Sequence, residues 1–376
     1  MKVLFVGHYR EGTGWGNAAI DYILAMDSAG IDVVCRPIKL NSRNVDLPER
    51  ILELENKSSS GSDVCIQNVL PHHMDYNGRF KKNIALYFIE TSSCAYSIWP
   101  NRINQLDEAW VCCNHNATAS KNSGINIPLS VIPIPCDVSR YESSYDRLNV
   151  ETTENTFCFY FIGEVTRRKN LAALVKAFHL EFSPNEPVSL VIKANKFGET
   201  PESLFLHIQE ICEQVKRNLK LYKDTKDYKK EVVLTQHLTD EDMLKLHSSM
   251  DCFVMPSFGE AWCIPAFDAM GFGNTPICTN VGGMADFVQD GGILVDGSPE
   301  PVFGMVDTFQ DICTGQEDWV NVNIRLLQTS MRHVYTLKNT NKNVYEHKRN
   351  ICRKDSYNYS HENIGRLIKE RLENAS

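Results

Sequence analysis

The chain has no apolar run of the ~18 residues that a membrane-spanning helix needs. It has no excess of positive charge either. Its 39 Lys and Arg stand against 47 Asp and Glu, a formal net charge of −8, which argues against a broadly basic surface for nucleic acid. It has no Cys-x-x-Cys, and its 13 cysteines follow no regular spacing. That pattern fits reduced core thiols in a cytosolic protein better than a disulfide framework or a zinc site. The adjacent pair Cys112-Cys113 reads as core. The opening Met1-Lys2-Val3-Leu4-Phe5-Val6 reads as a first strand and lacks the length and cleavage site of a secretory leader. The sequon Asn116-Ala117-Thr118 therefore carries no weight. The dinucleotide fingerprint Gly-x-Gly-x-x-Gly is also missing. Gly12-Thr13-Gly14-Trp15-Gly16 has a different spacing, and Val33-Val34 leads into Cys35-Arg36 with no acid, so a nicotinamide cofactor is disfavoured.

At 376 residues the chain is too long for one ordinary core, and two domains are expected. Residues 1–142 alternate strand and helix patterns, as a doubly wound parallel sheet does. The glycine-rich loop after the first strand lets backbone approach a phosphate at Gly14 and Gly16. Ile84 to Ile89 reads as a strand that ends at Glu90-Thr91, where ligands of open parallel sheets bind. His72-His73 reads as a strand-end loop, since neighbouring side chains on a strand point apart. Residues 143–156 are a polar, acidic linker.

The second domain, 157–352, opens on the strand Phe157 to Ile162, then Gly163-Glu164-Val165-Thr166-Arg167-Arg168-Lys169-Asn170. A helix follows, with Leu171, Leu174, Val175, Phe178 and Phe182 at helical spacing. Three cations at a helix N-terminus oppose the helix dipole and call for an anion, which a nucleotide diphosphate could supply. Lys193 ends the next strand, Val188 to Ile192. Asp240-Glu241-Asp242 has the spacing of a metal-binding pair, but Thr239 before it makes a capped helix start the better reading. The remaining chemistry is concentrated in Pro256-Ser257-Phe258-Gly259-Glu260-Ala261-Trp262-Cys263-Ile264-Pro265-Ala266-Phe267-Asp268-Ala269-Met270. This reads as a turn from a buried strand, Cys252 to Met255, into a helix over 265–272. That helix has Pro265 at its start, and its first-turn N–H groups suit an anion or sugar hydroxyls. Residues 317–352 read as helical, and 357–376 as a last helix with Ser360 as cap.

The 256–276 segment resembles the signature of the retaining family-4 glycosyltransferases, the glycosyl transferases of group 1. Those carry Pro-Ser, Glu, a Gly-Phe-Gly-like turn, Pro, a second Glu, Ala-Met, Gly and Pro. Lys169, Val281-Gly282-Gly283-Met284-Ala285-Asp286 and Val131-Ile132-Pro133-Ile134-Pro135-Cys136-Asp137 fall at matching places. Three positions depart: Glu164 stands for the usual Arg, Ala261-Trp262-Cys263 for Gly-Phe-Gly, and Asp268 for the second Glu.

The resemblance implies an α/β chain with two Rossmann-like domains facing each other across a cleft (GT-B type), with the last helix returning to the N-terminal, acceptor-side domain. It implies transfer of a sugar, with retention, from a nucleotide-diphosphate sugar to an acceptor hydroxyl, glycan, lipid-linked or other, with no metal and no cofactor. Glu260, Lys169, Arg168 and Glu90 would carry the chemistry. Gly14, Gly16, Lys193, Ala261, Trp262, Cys263, Ile264, Asp268 and His237 would line the donor site, with Glu260 at the sugar and Asp268 at the ribose. Two alternatives are a silent sugar-nucleotide-binding homologue and an enzyme acting on a modified DNA base. A cytoplasmic location is expected, with peripheral membrane attachment left open.

Overall fold

The computed structural model describes residues 1–40, 45–150, 155–306 and 308–374. The chain divides into two compact units. The first comprises Met1–Arg140, Thr308–Asp318 and Tyr357–Ser376, the second Tyr141–Asp307 and Trp319–Ser356. Of the expected linker, 151–154 lie outside the described residues. No helix among the described residues is long and apolar enough to cross a membrane.

The first unit is built on a six-stranded sheet: β1 (Lys2–Gly7), β2 (Asp32–Pro37), β3 (Val64–Asn68), β4 (Lys82–Tyr87), β5 (Glu108–Val111) and β6 (Leu129–Val131). Their order is β2-β1-β3-β4-β5-β6, and every neighbour pair is parallel. The strand direction of travel reverses between β1 and β3. Helices α1 (Gly14–Ser28), α2 (Glu49–Asn56), α3 (Trp99–Ile103) and α4 (Asn114–Asn122) make the crossovers. β3 and β4 are apolar along most of their length and buried, as strands covered on both faces must be.

The second unit repeats the plan with β7 (Phe157–Glu164), β8 (Val188–Asn195), β9 (Val232–Leu234), β10 (Cys252–Met255), β11 (Ile277–Thr279) and β12 (Ile293–Val295). The order β12-β11-β10-β7-β8-β9 is again all parallel, and it reverses between β7 and β10. Its helices are α5 (Leu171–Glu181), α6 (Pro201–Leu219), α7 (Asp240–Ser249), α8 (Ile264–Gly271) and α9 (Met284–Phe287). A two-stranded ribbon, β13 (Gly297–Pro301) with β14 (Asp318–Val322), precedes α10 (Ile324–Thr340) and α11 (Lys342–Ser356).

The expectation of helix throughout 317–352 is thus corrected. Asp318–Val322 is a strand, and Asn323 caps α10 through its side chain, which accepts from the Arg325 and Leu326 amides. Asn341 then separates α10 from α11. The last helix, α12 (His361–Asn374), packs on α1 so closely that a Cβ on Gly365 would lie 2.1 Å from the Ala25 carbonyl oxygen. Arg371 Nε on α12 donates to Glu108 Oε1 at 2.6 Å. Thr308–Asp318 joins the first unit through Asp311. Its carboxylate accepts from the Ile98 amide and lies 3.1 Å from His72 Nε2, while Trp99 Nε1 donates to His72 Nδ1. With Trp99 donating to Nδ1, Nε2 is the nitrogen that faces the Asp311 carboxylate.

Candidate active site

In an open parallel sheet, ligands bind beyond the carboxyl ends of the strands where the strand order reverses. In the second unit that point lies between β7 and β10, and two loops leave it, 165–170 and 256–263. The loops are tied together. The Phe258 amide donates to the Arg168 carbonyl at 2.8 Å, Arg168 Nη1 donates to the Gly259 carbonyl at 2.7 Å, and Asn170 Nδ2 to the Pro256 carbonyl at 3.1 Å. Asn170 adopts φ 54° just before α5, a left-handed conformation that Asn tolerates better than most residues.

Glu260 sits where the loops meet and is 4 % exposed. Its Oε1 takes both Lys169 Nζ at 2.6 Å and Arg168 Nη1 at 3.0 Å. Oε1 is the oxygen that both contacts share. Burial pushes the carboxyl pKa up, but Arg168 and Lys169 outweigh it and hold Glu260 ionised below its ordinary value. The anion that the basic helix start requires is therefore supplied by the protein itself. Two cations against one carboxylate leave a single positive charge at the junction. Arg167 does not join them. It is exposed and lies over the Phe258 ring, 5.5 Å from its centroid, at the side of a groove of about 470 Å³.

The segment 261–264 turns from this loop into α8. Ala261, Trp262 and Cys263 are buried, and Ile264 is the first helical residue. Trp262 packs against Phe287, with ring centroids 5.0 Å apart. Gly282 and Gly283 press on the loop from the other side. Gly282 has φ +64°, and a Cβ there would fall 1.6 Å from the Glu260 carbonyl oxygen. The Gly283 amide donates to the Ala261 carbonyl at 2.9 Å. Cys263 adopts φ 74°. A side chain in this region costs about 1–2 kcal/mol, a strain of the kind often stored at functional turns. Burial pushes the Cys263 thiol up to about 12, so it is no thiolate nucleophile near neutral pH.

Asp268 lies one turn into α8 and is half-buried; its Oδ1 accepts from the Tyr141 hydroxyl at 2.6 Å. Lys193 lies within β8, paired in register with Ile162, and not at the strand's end as expected. It is 7 % exposed, and among the described residues its Nζ bonds only to the Ala194 carbonyl, at 3.2 Å. Burial pulls its ammonium pKa below the usual lysine value. No carboxylate pairs with it among the described residues. His237 is exposed on the loop after β9. Thr239 caps α7 by accepting from the Asp242 amide at 3.1 Å, and Lys245 reaches Glu241 at 2.8 Å. Asp240-Glu241-Asp242 is thus a helix start.

Glu90, Gly14 and Gly16 belong to the first unit. Strand β4 stops at Tyr87, so Glu90 lies three residues past its end, not at it. Gly14 and Gly16 are helical rather than in a loop, because Thr13 caps α1 and accepts from the Gly16 amide at 3.1 Å. The glycine that backbone conformation requires is Gly12, at φ +62°, while Gly16 is required by the His8 carbonyl, 2.9 Å from where its Cβ would be. Tyr141 was missed by sequence reasoning, since a lone tyrosine after a domain's last strand carries no pattern.

Sequence and fold are each similar to those of known proteins. Residues 146–301, which contain both loops, match the model of the family described as glycosyl transferases group 1. The chain is 35 % identical over 60 residues to the O-antigen chain mannosyltransferase B of Escherichia coli, a match that spans 16 % of either chain. The fold is similar along its whole length to Anabaena Alr3699/HepE in complex with UDP-glucose, at 14 % identity and TM-score 0.67, with 100 % of each chain covered. It is likewise similar to sucrose-phosphate synthase from Thermosynechococcus elongatus, at 14 % identity and TM-score 0.64, again with 100 % of each chain covered. The chain therefore has the α/β fold of the GT-B glycosyltransferases, two Rossmann-like domains, and its residues 146–301 carry the group 1 match.

Proposed function

We infer that this protein is a retaining, metal-independent glycosyltransferase of family-4 type. In this reading it moves a sugar from a nucleotide-diphosphate sugar to an acceptor hydroxyl on a glycan, a lipid-linked carrier or another acceptor. The observation that carries the reading is the junction of Arg168, Lys169 and Glu260 at the point where the second sheet reverses. The bond from the anomeric carbon to the diphosphate breaks and the bond to the acceptor oxygen forms on the same face. The acceptor's proton passes to the departing phosphate oxygen. Charge grows on that phosphate, and Arg168 and Lys169 stabilise it in place, the largest single lever for such a step. Glu260, held by the two cations, presents its carboxylate to a sugar hydroxyl. Asp268 holds the nucleoside ribose, and Lys193, buried with no carboxylate partner among the described residues, adds positive charge on the donor side.

A panel of nucleotide sugars and nucleoside diphosphates tests this. A true donor at 100 times its dissociation constant stabilises the fold by about 2.7 kcal/mol, and turnover of that donor with retained configuration at the anomeric carbon, read by NMR, completes the case. Stabilisation with no turnover or donor hydrolysis would leave a silent nucleotide-sugar binder. No stabilisation by any member would overturn the reading.

A further inference from the structure

We propose that Tyr141 is a positioning residue for Asp268 and that the pair sets the preference for ribose over 2′-deoxyribose in the nucleotide. The inference rests on the donor-site reading above. The Tyr141 hydroxyl donates to Asp268 Oδ1 at 2.6 Å, within the range of bonds to an ionised acceptor. The ring is held independently of that bond. It lies on Gly271, where a Cβ would come within 2.3–2.5 Å of three ring carbons, and its edge meets Phe272 with centroids 5.4 Å apart. Asp268 and Gly271 are three residues apart on α8 and so share one face. Glycine at 271 admits the ring, and the ring delivers the hydroxyl to the carboxylate.

The consequence is mechanical. Aspartate is one methylene shorter than the glutamate usual at this position in the resembled family, so its carboxylate stays nearer the helix and must be aimed from outside. The phenol takes one of about four acceptor directions and fixes the tilt of the carboxylate plane. A ribose offers two neighbouring hydroxyls to a carboxylate so fixed, whereas a 2′-deoxyribose offers one.

The test uses UDP, GDP and ADP by calorimetry on the full chain, then the tightest of them against its 2′-deoxy counterpart. Wild type is expected to prefer the ribonucleotide by at least about tenfold, the worth of one hydrogen bond to a charged group. Tyr141→Phe is expected to lose most of that preference by weakening the ribonucleotide while the deoxynucleotide binds unchanged. In turnover, donor KM should rise more than kcat falls. Gly271→Ala, which displaces the ring and removes no polar group, should do the same, and it serves if Tyr141→Phe does not fold. If Asp268→Ala abolishes the preference but Tyr141→Phe and Gly271→Ala keep it, Tyr141 has no such role and the donor reading stands. If wild type and Asp268→Ala bind both nucleotides alike, Asp268 does not hold the ribose and both ideas fall.

Discussion

Replacing Glu260 by glutamine is expected to tighten nucleoside diphosphate binding while it slows turnover. An incoming diphosphate must compete with Glu260 for Lys169 and Arg168, whose nitrogens lie 2.6 and 3.0 Å from one buried carboxylate oxygen. Glutamine keeps an acceptor at that point but removes the charge. The glutamine bonds still have charged donors, so what is lost is the charge–charge attraction, taken as about 1 kcal/mol per cation, the upper value for solvent-screened ion pairs. Allowing for partial compensation by solvent, affinity should rise about tenfold, equal to about 1.4 kcal/mol. In the proposed reading the same change removes the carboxylate that meets the sugar, and turnover should fall by about 10- to 150-fold. Folding stability should also fall, towards the lower end of the ~3–5 kcal/mol for breaking a buried ion pair, since an acceptor remains.

The folded pKa of Glu260 is depressed, so its stabilisation is present above the ordinary glutamate value of about 4.3 and is lost as pH falls through the folded value. The variant should therefore show a shallower loss of melting temperature below about pH 4.3. Calorimetry, steady-state turnover and melts from neutral to acid pH read the three effects. A well-folded Glu260→Gln that bound the diphosphate more weakly would refute the reasoning, because the cations would then not be the groups the two anions share.

Lys169→Ala should weaken sugar donor and nucleoside diphosphate alike by about 1.5–3 kcal/mol; unchanged diphosphate affinity in a folded variant would count against the assignment. Glu108→Gln should destabilise the first unit by about 3 kcal/mol and speed amide exchange in α12. That carboxylate is 1 % exposed, takes Trp110 Nε1 at 2.7 Å and Arg371 Nε at 2.6 Å, and pairs with Lys82; exchange in α12 equal to wild type would sink the idea. Turnover should survive a chelator, because Asp240 and Asp242 lie in the first turn of α7 under the Thr239 cap; full loss restored by a divalent ion would show a metal requirement.

What was legible in the sequence follows from which contacts are local. The turn from β10 into α8 is written within fifteen residues, so the placing of Glu260 and Asp268 on it could be read off. The apolar face of α5 also follows a spacing, and Leu171, Leu174, Val175 and Phe178 are all buried. The basic start of α5 showed that an anion was required. Its identity was not legible, because Glu260 lies 91 residues from Lys169 in sequence and is brought there by β7 and β10 pairing side by side. A diphosphate was the natural guess for the missing charge. A buried carboxylate stands against those cations, and in the proposed reading a diphosphate exchanges with it.

The same distinction explains Asp268. Its departure from the glutamate of the resembled family was visible in sequence, while its contact with Tyr141 was not, since Tyr141 comes from 127 residues upstream. Lys193 was misplaced for a different reason. Strand ends carry no period of their own, and β8 continues to Asn195 because its pairing with β7 continues to Glu164. In each case the missing information was a partner's address in space, and a single sequence specifies that only through the sheet order it folds into.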